Sequence, residues 1–127
     1  MSDAITRGIR VQVKSAYIPE RSRRQGQPYL FAYRVRISND GEETVRLVGR
    51  EWIITDADGQ LEQVSGPGVV GEQPILGSGE SFEYTSVCSL RTPVGSMHGS
   101  YQLVSMRGHH FDAVIAPVSL VVPIALR

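Results

Sequence analysis

A single cysteine, Cys88, means that no internal disulfide and no metal site built from cysteines alone can form. Net charge is also missing: 13 Lys and Arg stand against 13 Asp and Glu. Nucleic-acid binders draw much of their affinity from uncompensated positive charge, so no nucleic-acid partner is expected. No apolar run approaches the ~20 residues that span a bilayer as a helix, so no membrane insertion is expected. Met1 to Arg10 lacks the apolar stretch of a secretory leader. No window of eleven or more residues repeats its apolar positions with a period near 3.6, so no long helix is expected. Repeats, low-complexity segments and interdomain linkers are absent too. The expectation is one soluble, cytoplasmic domain over residues 1–127, with its core at about 9–122. A chain of 127 residues buries roughly two-thirds of its unfolded surface, enough to fold without a covalent staple.

What is present alternates. Ile9, Val11 and Val13 are separated by Arg10, Gln12 and Lys14. Tyr29, Phe31, Tyr33, Val35 and Ile37 alternate with Leu30, Ala32, Arg34, Arg36 and Ser38. Phe82, Tyr84 and Ser86 alternate with Glu83, Thr85 and Val87. Period two puts successive side chains on opposite faces, the mark of strands buried on one side. Thr44 to Thr55 is apolar on both faces around Trp52 and predicts a central strand with a bulge at Gly49. Asn39-Asp40-Gly41 and Asp58-Gly59 predict hairpin turns. Strands are expected near 8–18, 29–38, 44–55, 60–64, 81–88, 100–106 and 111–122. Pro117 and Pro123 place the last at an edge or interrupt it, since proline cannot donate to the ladder. About seven short strands with turns between them predict an all-β sandwich, with Trp52 and Phe31 in its core.

Longer blocks then match a known family. They are Phe31-Ala32-Tyr33, Ser38-Asn39, Arg50-Glu51-Trp52-Ile53-Ile54-Thr55-Asp56, and Val64-Ser65-Gly66-Pro67-Gly68-Val69-Val70-Gly71-Glu72-Gln73-Pro74. Gly79-Glu80, Phe82-Glu83-Tyr84-Thr85-Ser86 and Thr92-Pro93-Val94-Gly95-Ser96-Met97-His98-Gly99-Ser100-Tyr101 follow. Over about residues 9–120 the chain resembles the ApaG family of small bacterial proteins, departing from its pattern at Ala116 and Val118. The resemblance implies an immunoglobulin-like or fibronectin type III-like sandwich. It also implies an association with cobalt resistance and magnesium efflux, without an established mechanism. The same domain occurs in an F-box protein and in a polymerase-delta-interacting protein, which points to a binding module.

Four sets of residues could carry chemistry. Gly66-Pro67-Gly68-Val69-Val70-Gly71 spells G-x-G-x-x-G, but neither a following helix nor a βαβ unit is expected to hold a pyrophosphate. What remains open is a nest of backbone N–H groups, from which Pro67 removes a donor and which Glu72 opposes by charge. Gly66, Gly68 and Gly71, with Arg50 helping from outside, are the candidate phosphate-binding residues; a purely structural crossing is the other reading. His98, His109, His110 and Asp112 are too few on one face for a dedicated metal site. Cys88, on the apolar face of its strand, reads as a small buried hydrophobe, and no catalytic residue is expected. Arg21, Arg23 and Arg24 form a basic loop, and Arg50 beside Trp52 could meet a ligand anion or pair with Glu51 or Asp56. Tyr101 suggests a tyrosine corner, its hydroxyl bonded to backbone upstream. These readings predict a non-enzymatic binding module with a protein partner and no cofactor. The alternative is a nucleotide- or pyrophosphate-binding protein that uses the loop at 66–71.

Overall fold

The alternating segments become antiparallel strands in a computed structural model, which describes residues 1–19 and 26–123. Among the described residues there are nine: β1 (Ser2–Thr6), β2 (Ile9–Tyr17), β3 (Tyr29–Asn39), β4 (Val45–Asp56), β5 (Leu61–Pro67), β6 (Ile75–Leu76), β7 (Ser81–Leu90), β8 (Val94–Ser105) and β9 (His110–Val121). One sheet runs β1-β2-β3-β7, the other β5-β4-β8-β9, with β6 also on β4. The two sheets enclose a core of Ile9, Val11, Phe31, Val35, Leu47, Trp52, Met97, Tyr101, Leu103 and their neighbours. The fold is an immunoglobulin-like, fibronectin type III-like β-sandwich, with Trp52 and Phe31 in its core.

Three expectations change. Nine strands replace about seven. β1 was not foreseen because Ser2, Asp3, Ala4 and Thr6 carry no apolar alternation. It forms through a two-residue turn at Arg7 and Gly8, both with positive φ (49° and 82°), which suits a tight hairpin. β8 begins six residues early, at Val94. Its glycines are there for close approach: a Cβ on Gly99 would stand 1.9 Å from the Glu51 carbonyl oxygen, and one on Gly95 2.5 Å from that of Thr55.

Asn39-Asp40-Gly41 is not a hairpin. β3 and β4 lie in different sheets, and Gly41 takes no positive φ. Asn39 instead is buried and ties the crossover down. Its Nδ2 donates to the carbonyls of Glu43 and Leu76, and its Oδ1 accepts from the Gly41 N–H. Asp58-Gly59 does turn β4 into β5, with Asp56 Oδ1 accepting from the N–H groups of Asp58 and Gln60.

The β4–β8 register slips between Leu47 and Gly49, so a bulge is present at Val48, one residue before the expected Gly49. A second slip between Met97 and Gly99 leaves the extra residue in β9 beside Pro117, and β9 ends its sheet, as proline requires. β9 also packs against β1 and β2 and closes that side of the sandwich. On the opposite side the two sheets end in β5 and β7. β5 is exposed along nearly its whole length, Leu61 and Val64 included.

Candidate functional site

Between those two ends lies a cleft of about 390 Å³. Alternation along β4 sends Arg50, Trp52 and Ile54 to the same face, and all three line it. β5 contributes Glu62 and Val64, which pair with Ile54 and Trp52. Tyr33 comes from β3, and Tyr84, Ser86 and Cys88 from β7. Val70, from the glycine loop, stands at the Arg50 end; it is exposed and has a positive φ of 42°, rare for a β-branched residue. A second hollow, lined by Asp56, Gln60, Leu61 and Arg91, continues the cleft past Ile54 and Glu62.

The floor is aromatic. The Trp52 ring meets Tyr33 edge-on at 5.3 Å and Tyr101 at 6.3 Å. The Tyr84 and Tyr101 hydroxyls hydrogen-bond to each other. That replaces the expected tyrosine corner, since the Tyr101 hydroxyl is satisfied by a side chain of the facing sheet. Trp52 is 2% exposed, and its buried Nε1–H lies against the Tyr84 hydroxyl. Burial pushes the phenol of Tyr84 up to about 12 and raises that of Tyr33; hydrogen bonds with Tyr101 and Trp52 pull Tyr84 back, one with Ser86 pulls Tyr33 back, and the Arg50 charge adds least to both.

Cys88 is buried, its Sγ 3.9 Å from the Met97 Sδ. Burial, and secondarily the Glu62 charge, push its thiol up to about 11. That keeps it protonated, in line with the expected role of a small hydrophobe.

The glycine loop and Arg50 do meet. Arg50 Nη1 donates to the carbonyls of Pro67 and Gly68, each at 3.0 Å, and its guanidinium lies against the bare Cα of Gly66. The expected partners Glu51 and Asp56 are occupied elsewhere: Glu51 accepts from Gln63 Nε2, and Asp56 holds the turn. The loop N–H groups do not converge. Gly68 N–H goes to the Val48 carbonyl at the bulge, and Val69 N–H goes to Glu72. Gly71 has a φ of 81° and open space around it.

His109 and His110 are exposed, and His98 lies within β8, partly buried. Among the described residues, no group of three or more His, Cys, Asp or Glu side chains could hold a metal ion. Arg21, Arg23 and Arg24 lie outside the described residues. No helix among the described residues is long and apolar enough to cross a membrane.

A family model, the ApaG domain, matches residues 19–105. The chain belongs to the ApaG family. Protein ApaG of Anaeromyxobacter dehalogenans (strain 2CP-1) is 56% identical over 127 residues, covering 100% of both chains. That of Methylococcus capsulatus is 52% identical over 115 residues, covering 91% of each. A crystal structure of the ApaA protein from Bordetella pertussis superposes with a TM-score of 0.88 at 45% identity, covering 92% of this chain and 95% of that one. The ApaG fold thus carries a cleft whose aromatic floor the alternation had assigned to the core alone. The missed signal lies in the hydroxyls: inward-facing Tyr33, Tyr84 and Tyr101 each need a polar partner, so a buried polar cluster was implied.

Proposed function

We propose that this ApaG chain is a non-enzymatic binding module and that it holds a protein partner in the cleft between β5 and β7. One observation supports this reading above the others: both sheets end at the cleft. An unpaired strand edge offers backbone N–H and C=O groups to an incoming chain, and side-chain pockets beside it supply selectivity. Exposed Leu61, Val64, Val70 and Val87 add apolar surface along the same side. On this reading, the family's association with cobalt resistance and magnesium efflux works through the partner.

Capture from lysate with mass spectrometry tests it, comparing the native chain with a variant carrying Val64→Lys and Val87→Lys. Both positions are exposed, so the variant keeps its core. A partner held by the native chain and lost from the variant is expected. Identical captured sets would place the binding surface elsewhere.

The second reading, pyrophosphate on the glycine loop, has the juxtaposition of Arg50 with Gly66 and Gly68 in its favour. Against it, the Gly68 and Val69 N–H groups are already spent. Saturable shifts of the amides of residues 66–72 on adding pyrophosphate would restore it.

A further inference from the structure

We infer that the cleft receives a free carboxylate carried on an apolar residue, held by Arg50. This deepens the reading of the cleft as a partner site and rests on it.

The argument begins with donors. Arg50 and Trp52 are two residues apart on one face of β4, roughly 7 Å along the strand. Both side chains donate hydrogen bonds and accept none. The Trp52 Nε1–H is buried against the Tyr84 hydroxyl, which leaves Arg50 as the donor that faces the cleft. Arg50 is already oriented, since the Pro67 and Gly68 carbonyls hold one edge of its guanidinium. Its charge has no carboxylate partner: the ion pairs among the described residues are Arg10–Asp3 and Arg34–Glu83. A guanidinium fixed by neutral carbonyls keeps its full charge and a preformed fork for a planar anion. The carbonyls come to it because Gly68 adopts a φ of 59° and donates to the Val48 bulge. The glycine loop thus acts as the mount of Arg50.

The ligand's charge and shape follow from the rest of the wall. Arg50 is the one cation among the described residues that line this cleft, and Glu62, lining it too, leaves no net positive charge. One guanidinium pairs with one carboxylate, and the Glu62 charge opposes a polyphosphate. Val64, Val70, Val87, Ile54 and Met97 supply apolar contact for the body behind the carboxylate. The volume, about 390 Å³, lies at the small end of ligand sites, enough for one side chain and a chain end. The continuing hollow toward Asp56 and Arg91 gives preceding residues somewhere to lie, beside the free edges of β5 and β7. Carboxylate plus apolar body describes both the C-terminus of a peptide and a small arylalkyl acid.

Trp52 is the only tryptophan, so proton–nitrogen correlation spectra contain one indole N–H signal, a direct reporter. Four probes are titrated separately: the peptide acetyl-Gly-Ser-Gly-Ala-Phe with a free carboxylate, the same peptide as its C-terminal amide, hydrocinnamate, and inorganic pyrophosphate. The free-acid peptide is expected to shift the indole signal saturably, with the amide weaker by about tenfold or more, since a charge-assisted pair is lost. Hydrocinnamate matching the peptide identifies a small acid as the source; a peptide binding about tenfold more tightly identifies a chain end. Amide and acid binding equally would overturn the carboxylate while leaving the cleft a peptide site. Saturation by pyrophosphate alone would overturn it in favour of the loop. No indole shift with any probe would also overturn it, and the lysate comparison would then judge the wider reading by itself. Arg50→Gln should abolish the acid-over-amide preference.

Discussion

Tyr84 on β7 and Tyr101 on β8 join their hydroxyls across the sandwich, so one buried hydrogen bond ties the two sheets together. Each phenol is otherwise surrounded by rings: Tyr84 by Tyr33 and Phe82, Tyr101 by Trp52. The pair forms the polar seam of an aromatic core and the floor on which the cleft rests.

Removing one hydroxyl strands the other. Tyr101→Phe should cost about 1–3 kcal/mol, the penalty of a buried group left unpaired. The double change Tyr84→Phe with Tyr101→Phe should cost less than the sum of the two single changes. Urea unfolding of the three variants measures this, and strict additivity would show that the hydroxyls do not act as a pair.

Alkali should unfold the protein early. The phenols of Tyr33, Tyr84 and Tyr101 are raised by burial, as is the Cys88 thiol. An acid whose folded pKa is raised keeps its proton in the native state while the unfolded chain has already lost it. Its contribution is complete below the unfolded pKa and is lost as pH climbs toward the folded one. For Cys88 that window runs from 9.0 to about 11, and for Tyr84 from 10.0 to about 12. Denaturant midpoints should hold steady up to about pH 9 and fall above it, less steeply in Cys88→Ala. A flat profile to pH 11 would contradict the burial of these groups.

Trp52→Ala removes the largest buried side chain and should cost ~3–5 kcal/mol. At this chain length that lowers the melting temperature by roughly 10 °C or more. Thermal unfolding followed by circular dichroism reads it, and an unchanged midpoint would place Trp52 outside the core.

Gly68→Ala and Gly71→Ala separate crowding from backbone strain. Both positions have positive φ, 59° and 81°. A Cβ at Gly68 would lie 2.1 Å from the Glu72 carbonyl oxygen, whereas one at Gly71 meets nothing within 4 Å. Gly71→Ala should cost about 1–2 kcal/mol, the left-handed penalty alone. Gly68→Ala should cost distinctly more, with no ligand present, and should loosen Arg50. Equal losses in denaturant unfolding would show that the loop moves aside freely.

Much of the fold was legible. β2, β3 and β7 were readable because each carries inward residues at every second position, whereas β4 and β9 alternate only on either side of their bulges and were legible as apolar runs bounded by turns. The start of β8 was not, because Gly95, Ser96, Gly99 and Ser100 show no alternation; the two glycines let the β4 backbone come close. Asn39-Asp40-Gly41 looked like a hairpin because its residue types suit one. Its actual duty depends on Leu76, 37 residues away.

The sequence by itself determined the strand faces, the core around Trp52 and Phe31, and membership of the ApaG family, since these follow from alternation and from residue blocks along one chain. Only the tertiary structure decided that β5 and β7 end their sheets on the same side, that Arg50 grips carbonyls 17 and 18 residues away, and that Tyr84 and Tyr101 join their hydroxyls between the sheets. The physical reason is that period two states which way a side chain points, not what it meets; strand order and register supply the partner, and with it the cleft.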